Sequence, residues 1–481
     1  MISLKYKKIT AIWVLTVIVL FVACIVLGIL MRLAQGDSLK MGIPGFYSTM
    51  TVHGISMIGI WFVAGMASVN YLLLRYVQVP LWSNILALIL TVLGVVMIWV
   101  SAYIGNFYAG WTFLYPLPLF PGWEAWATPL FLASIALLGV GWLIWSMAML
   151  RAILGKYSLK RAFGWQHLSK SVKEEETPPF ILITVVTLIG IIVSLLTAAI
   201  LVVLYFMEIF SDGALVNDAL LMKNLTYFFG HTVANEILYL GLATLYEILP
   251  DVTGRPRWKN TWYVTLAWNA TMIFILFAFF HHLYMDFVQP VGMQIIGQVA
   301  SYLASLPAVA VTLFSVLVLI FRNPIRWSTT STLYFLGIMG WVIGGVGAVI
   351  DATISYNFVL HNTLWVPAHF HTYTVMGSVL INLAFFNWVT YHFFDKTEHV
   401  KTSRIQISLL LIGGFGFLLM FYLGGAHSIP RRFNQYPAEL SIGVDLAFYA
   451  ALFAMVYLIA MVMINFNIVK RCLRIFYLRS A

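Results

Sequence analysis

The stretch Asn357-Phe358-Val359-Leu360-His361-Asn362-Thr363-Leu364-Trp365-Val366-Pro367-Ala368-His369-Phe370-His371-Thr372-Tyr373-Thr374 decides how the chain is read. Three histidines, His361, His369 and His371, fall within eleven residues, at the mouth of an apolar segment that runs to about Val389. His369 and His371 are two apart, which on a helix of 3.6 residues per turn points them roughly 200° apart. Side chains so placed do not easily share one metal. Each can ligate a different large group, one on either side of the same helix, and a helix flanked by two haems is the simplest object with that geometry. The bland alternative is two hydrogen-bonded histidines at a membrane interface. The rest of the chain weighs against it.

Composition makes this an integral membrane protein. Hydrophobic residues are 62% of the chain and charged residues 9%, against about 25% charged in a soluble domain. Aromatic residues reach 16%, which suits interface belts and cofactor packing. The net charge of +10 reflects topology and not nucleic-acid binding. The two cysteines, Cys24 and Cys472, form no metal motif and no disulfide framework. A Cys-ligated copper or a Cys-tethered haem therefore belongs to a partner chain.

A spanning helix needs about 20 apolar residues. Twelve segments qualify, at 9–31, 48–74, 82–104, 127–150, 179–207, 225–249, 260–284, 292–321, 330–352, 364–391, 404–425 and 443–468. The prediction is an all-α, polytopic membrane protein of twelve transmembrane helices, one domain over 1–481, lying in a lipid bilayer. The first segment reads as a retained span rather than a signal peptide. The longest connection, about 151–178, carries Arg151, Lys156, Lys160, Arg161, Lys170, Lys173 and Glu174-Glu175-Glu176, and reads as a solvated loop. With Lys5, Lys7 and Lys8 in the cytoplasm, 22 of the 27 basic residues fall on that side, and both termini with them. Arg32, Lys40, Lys223, Arg431 and Arg432 lie outside. The adjacent pair Arg431-Arg432 breaks the rule and asks for an anionic partner.

The histidines follow a second pattern. His53, His231, His281, His282, His361, His369 and His371, seven of eleven, fall at one depth in the outer part of the membrane. Ionisable groups inside a bilayer are costly and mark functional sites by default. Seven at one level are hard to explain without metal. A low-spin haem needs two axial imidazoles, from His53 on predicted span 2 and one histidine of span 10. A high-spin haem needs one, from the other span-10 histidine. His231, His281 and His282 remain. Adjacent histidines on a helix lie about 100° apart, and a third from another span completes a three-imidazole metal site facing the high-spin haem.

At this point the chain resembles the catalytic subunit (subunit I) of the haem–copper oxidase superfamily, which includes oxygen reductases and nitric oxide reductases. Thr51-Val52-His53-Gly54 resembles the haem motif of span 2. Phe229-Gly230-His231 and His281-His282 match the second-metal ligands. Trp365-Val366-Pro367-Ala368-His369-Phe370-His371 matches the span-10 motif, which implies His369 for the high-spin haem and His371, with His53, for the low-spin haem. Pro430-Arg431-Arg432 matches the arginine pair that holds haem propionates, and His361-Asn362-Thr363 resembles a stretch near the propionates in the B-type, ba3-like branch. The resemblance implies haem b and haem b3, an outer redox subunit II with a copper-A or cytochrome c domain, cytochrome c or quinol as electron donor, and a bacterial or archaeal plasma membrane.

The departures point to the gas. A- and B-type oxygen reductases carry a tyrosine four residues after the span-6 histidine, which gives an electron and a proton when O–O breaks. Here that position is Asn235, followed by Glu236. Nitric oxide reductases carry a glutamate near this histidine, tied to non-haem iron. The expectation is a nitric oxide reductase making N2O from two NO, of the copper-A-partnered kind, with Glu236 moving protons beside non-haem iron at His231, His281 and His282. The alternative is an oxygen reductase with copper B, in which Tyr284 replaces the missing phenol. Tyr239 and Tyr246 suggest a proton path along span 6, interrupted at Leu242, so protons are expected from outside, past Asp286, Asp212 or Glu208. Trp111, Trp123 and Glu124 read as interface packing. A haem-binding channel or transporter is disfavoured by the open three-histidine site.

Overall fold

Among the described residues, long apolar runs build a bundle of twelve long helices. The computed structural model describes residues 2–168, 177–286, 288–321, 325–398 and 403–478. Lys170, Lys173, the three glutamates 174–176, Arg322, Lys401 and Arg479 lie outside the described residues. The helices are α1 Leu4–Gln35, α2 Ile43–Leu73, α3 Leu81–Tyr103, α4 Ala127–Leu154, α5 Pro179–Ile209 and α6 Ala219–Thr253, then α7 Trp262–Ala278, α8 Val291–Ile320, α9 Thr329–Ala352, α10 Trp365–His392, α11 Arg404–Ala426 and α12 Ser441–Arg474. The only backbone pairing of strand type among the described residues is one isolated bridge, Thr363 to Pro430.

Several starts are set by side chains that cap exposed backbone N–H groups. Asp218 Oδ1 accepts from Leu221 N at 2.7 Å to open α6. Ser328 and Ser331 form a capping box at α9, where the Glu398 carboxylate also accepts from Thr329 N and Thr330 N. A negative group there also complements the helix dipole. The expected bounds hold to within a few residues at most ends. Most helices run longer than the predicted apolar core.

Eleven of the helices are long and apolar enough to cross a membrane, and α6 falls outside that class. The reason is its position. Every residue from Glu236 to Pro250 is buried, so α6 is surrounded by protein and needs no lipid-facing stripe. It packs on α5, α2, α10 and the turn after α7, while α1 packs on both α2 and α12.

The helix α10 is not uniform. Trp365–His371 and Val379–His392 are α-helical, and Thr372–Ser378 between them is a π-helix. Such π turns occur mostly at functional sites. A row of glycines on α9 brings this segment close. A Cβ on Gly340 would strike the Met376 backbone, one on Gly344 the Tyr373 backbone, and one on Gly347 the His369 Cβ. Small residues at three- to four-residue spacing are how membrane helices approach closely. Here they fix where His369 and Tyr373 stand.

Candidate active site

Of the seven predicted histidines, the structure brings His231, His281 and His282 together. His231 comes from α6. His281 and His282 sit on a 3₁₀ turn, Phe279–Leu283, that ends α7. The expectation was an α-helical pair about 100° apart. In the 3₁₀ turn they are spread by about 120°, and their rings lie 4.1 Å apart, centroid to centroid. The His231 ring is 4.9 Å from that of His281 and 5.2 Å from that of His282. One ring nitrogen of each falls within 4.8 Å of the others. Ser301 Oγ lies 3.0 Å from His281 Nδ1, which orients that ring. Tyr227 stacks on His282 at 5.1 Å.

The predicted low-spin pair, His53 and His371, is oriented by backbone. His53 Nδ1 lies 2.8 Å from the Cys24 carbonyl and His371 Nδ1 lies 2.7 Å from the Pro367 carbonyl. A carbonyl at Nδ1 fixes the proton there and leaves Nε2 as the ligating atom of each. Gly28 of α1 leaves room for the His53 ring, whose Cε1 would stand 2.9 Å from a Cβ there. Arg32, one turn further on α1, lies over Phe421 at 4.6 Å, and Phe421 packs on His371 at 5.4 Å. Both imidazoles thus lie beside the same face of α1. The sequence reading gave Arg32 no role, because its contact with Phe421 joins two distant helices.

His369 faces an acid that the sequence reading did not single out. Its Nε2 stands 3.4 Å from Asp351 Oδ2, long for a hydrogen bond, and the Asp351 carboxylate is buried. An aspartate at membrane depth on predicted span 9 was an available signal.

The arginine pair is held firmly. Arg431 N donates to the Asn362 carbonyl and Leu364 N to the Ile429 carbonyl, both at 2.9 Å. This joins the His361 stretch to the Arg431 stretch. Tyr47 donates to the Arg432 carbonyl at 2.8 Å and Gln35 to the Phe433 carbonyl at 2.5 Å. Arg431 Nε is buried without a hydrogen-bond partner, and neither arginine forms an ion pair among the described residues. Burial pushes Arg431 down to about 10, and Arg432 adds to the shift. Burial first, then the Arg431 charge, pushes His361 down to about 4, so it is neutral at pH 7.

The residues therefore fit two haems and one further metal. Three imidazoles converge, two more keep Nε2 for a ligand, and a buried cation lacks an anion. When bound, the haems carry electrons and the high-spin iron with its neighbouring metal reduces a gas; His53 and His371 would hold the first haem, His369 the second, and His231, His281 and His282 the metal. Arg431, Arg432 and His361 would meet the carboxylates.

The other expected residues fall differently. The Glu236 carboxylate is buried with neither oxygen hydrogen-bonded, and it presses on Gly190 of α5, where a Cβ would strike it. It is not part of the metal-ligand group, which is the three histidines alone. Five residues from His231, it points about 140° from that ligand. Asn235 Nδ2 donates to the His231 carbonyl at 2.9 Å, and its Oδ1 accepts from the Tyr373 hydroxyl at 2.9 Å. The Tyr284 hydroxyl donates to the Ala352 carbonyl at 3.0 Å. Tyr246 and Thr312 share a 2.9 Å hydrogen bond, Tyr239 donates to the Ala304 carbonyl at 3.2 Å, and both rings pack on Trp268. Leu242 stays buried between them. Asp286 is paired with Lys223 at 2.5 Å, and Glu208 accepts from Tyr115 and Asn217. Asp212 is exposed. Trp123 packs on Phe107, and Trp111 stacks on Phe370, which lies between His369 and His371 in the chain.

Residues 8–468 match the family described as Cytochrome C and Quinol oxidase polypeptide I. The chain belongs to that family. It is 24% identical to cytochrome c oxidase subunit 1 of Synechocystis over 414 residues, 82% of this chain and 71% of that one. It is 25% identical to the Thermostichus vulcanus subunit over 460 residues, 91% and 79% of the two chains. A haem–copper oxidase subunit I+III of Aeropyrum pernix is 24% identical, with 81% of this chain matching 47% of that one. A solved haem–copper terminal oxidase dimer shares the fold, with a TM-score of 0.74 over 100% of this chain and 85% of that one, at 19% identity.

Membership in that family makes the arginine pair testable. Replacing both Arg431 and Arg432 with glutamine should lower the low-spin haem potential, since removing positive charge disfavours the added electron. Charge-assisted hydrogen bonds worth roughly 1.5–3 kcal/mol correspond to about 60–130 mV at 59 mV per tenfold. Optical redox titration reads the shift, and an unmoved potential would count against the carboxylate contact.

Proposed function

We propose that the chain is the catalytic subunit of a respiratory membrane complex that reduces O2 to water at a high-spin haem and copper, fed through a low-spin haem. The observation that carries O2 over NO is the donor set. It is three imidazoles and no carboxylate, because Glu236 is turned onto Gly190. A carboxylate beside the metal was part of the case for iron and NO, since hard oxygen donors suit iron. Without it, the argument for iron over copper lapses, since imidazole accepts either metal. The names of the curated relatives, cytochrome c oxidase subunit 1, support the same reading and cytochrome c as donor. Quinol stands in the family's description as the other donor class.

Electrons would enter from a partner subunit with a copper-A or cytochrome c domain. Cys24 and Cys472 are both buried, and neither joins the metal-ligand group. With both termini cytoplasmic, the histidine level lies towards the outer face of a bacterial or archaeal plasma membrane. A second reading, reduction of two NO to N2O, is favoured by Asn235 standing where the phenol of oxygen reductases is expected.

The test is turnover of the intact complex with each gas under one electron donor, beside the chain purified alone. Fast O2 consumption by the complex, negligible N2O from NO, and little turnover by the single chain are expected. Rapid N2O production with negligible O2 consumption would replace the O2 reading with the NO one. Full-rate oxidation of cytochrome c by the single chain would refute the partner.

A further inference from the structure

We propose that Tyr373 is the redox-active phenol of this site, giving one electron and one proton to oxygen from α10 in place of a phenol on α6. The inference deepens the O2 reading and rests on it.

The two ligand-bearing helices are joined one turn below their ligands. Asn235 follows His231 by four residues on α6, and Tyr373 follows His369 by four on α10. Residues four apart are neighbours on a helix face. The Tyr373 hydroxyl donates to Asn235 Oδ1 at 2.9 Å, and Asn235 Nδ2 donates to the His231 carbonyl at 2.9 Å. The link runs from the turn that carries the high-spin haem ligand to the turn that carries a ligand of the second metal. Tyr373 lies in the π segment, and its backbone rests against Gly344, where a Cβ would stand 2.6 Å from Tyr373 N. The position of the phenol is therefore set by backbone packing.

The other tyrosines near the ligands are placed differently, with Tyr227 stacked on His282. Tyr284 and Tyr239 are each spent on a backbone carbonyl, of Ala352 and Ala304 respectively.

The partner's chemistry fixes the step. An amide oxygen accepts a hydrogen bond but does not take up a proton near neutral pH. A proton leaving Tyr373 finds no base at Asn235, so electron and proton leave together. The phenolic O–H bond breaks, a neutral phenoxyl radical remains, and both particles pass to the oxygen being reduced as the O–O bond breaks. Reducing O2 to two waters takes four electrons and four protons. Tyr373 supplies one of each, and the bound metals hold the other three electrons. The remaining three protons come from solvent. Tyr373 recovers an electron from the respiratory donor and a proton from solvent before the next cycle.

The test uses the intact complex with ring-deuterated tyrosine. Its oxidised form is treated with hydrogen peroxide and read by EPR. A tyrosine radical is expected in the wild type and in Tyr284→Phe, and none in Tyr373→Phe. In Tyr373→Phe both haem spectra should stay normal while O2 consumption falls on the order of a hundredfold, within the range for losing positioned proton transfer. A wild type with no tyrosine radical, or a radical that survives Tyr373→Phe, overturns the proposal. Should Tyr373→Phe fail to assemble, Asn235→Leu decides. It removes the amide beside the phenol oxygen, both Oδ1 and the Nδ2 that donates to the His231 carbonyl, so the g values of the radical must shift, and unshifted values place the radical elsewhere. The O2 reading fails separately. A wild type that makes N2O rapidly and hardly consumes O2 refutes that reading, whereas fast O2 consumption with an unchanged radical in Tyr373→Phe refutes only the role of Tyr373.

Discussion

Replacing His53 with alanine should abolish the low-spin haem spectrum and spare the high-spin one, and replacing His369 should do the reverse. Each change should leave about one haem per chain. The separation follows from helix geometry. His369 and His371 leave α10 on nearly opposite sides, and the structure gives them different surroundings. His371 rests on Phe417 and Phe421, with its Nδ1 on the Pro367 carbonyl. His53 has the same arrangement, with its Nδ1 on the Cys24 carbonyl. Two imidazoles that both keep Nε2 for iron are the donor set of a six-coordinate haem. His369 stands instead between Gly347 and the buried Asp351. The measurement is a reduced-minus-oxidised spectrum with a pyridine haemochrome count. Loss of the low-spin signal in His369→Ala, with the high-spin signal intact, would reverse the assignment.

The parts of this site that were legible in the sequence are those carried by spacing within one segment. The pair His369 and His371, the adjacent His281 and His282, and the adjacent Arg431 and Arg432 each announce themselves locally. Apolar length located the twelve helices, and α6 was recognisable from length even though it is too polar to pass as lipid-facing. What was not legible depends on contacts between helices or on local backbone form. The π turn at Thr372–Ser378 leaves no mark in the apolar pattern. The 3₁₀ turn at Phe279–Leu283 changes the angle between the adjacent His281 and His282. Glu236 was read as a neighbour of the metal because it follows Asn235. Its direction on the helix, towards Gly190, is set by a partner more than forty residues away in the chain. Tyr373 was overlooked although the same four-residue rule that marked Asn235 below His231 also marks Tyr373 below His369.

The missing phenol on α6 therefore weighs less than the sequence made it weigh. The sequence places Asn235 where a tyrosine was expected, and the fold brings a phenol to within 2.9 Å of that asparagine from another helix. A position can lose a residue type while the site keeps the function, provided another helix reaches the same point. The glycine row on α9 permits that reach, since any side chain at Gly344 would displace the Tyr373 backbone.

His231→Ala should remove one metal per complex, leave both haem spectra near normal, and lower gas turnover on the order of a thousandfold or more. The cluster offers a metal three imidazoles, from α6 and from the turn after α7. Among the described residues no cysteine or carboxylate joins them, so loss of one ligand leaves two. A metal beside the reacting gas contributes several kcal/mol of stabilisation, and each 1.36 kcal/mol is a factor of ten in rate. His231 is also the residue whose carbonyl holds Asn235, so the side-chain change separates metal loss from the Tyr373 link, which the backbone preserves. Ser301→Ala is the graded companion. Ser301 Oγ lies 3.0 Å from His281 Nδ1, and losing such an orienting contact costs roughly 10–100-fold in metal affinity. Elemental analysis of the purified complex measures both, and it also identifies the metal. One copper beyond those of the partner subunit supports the three-imidazole assignment. An iron count one above that of the haems would restore the NO reading. Unchanged metal content in His231→Ala would remove the cluster from the mechanism altogether.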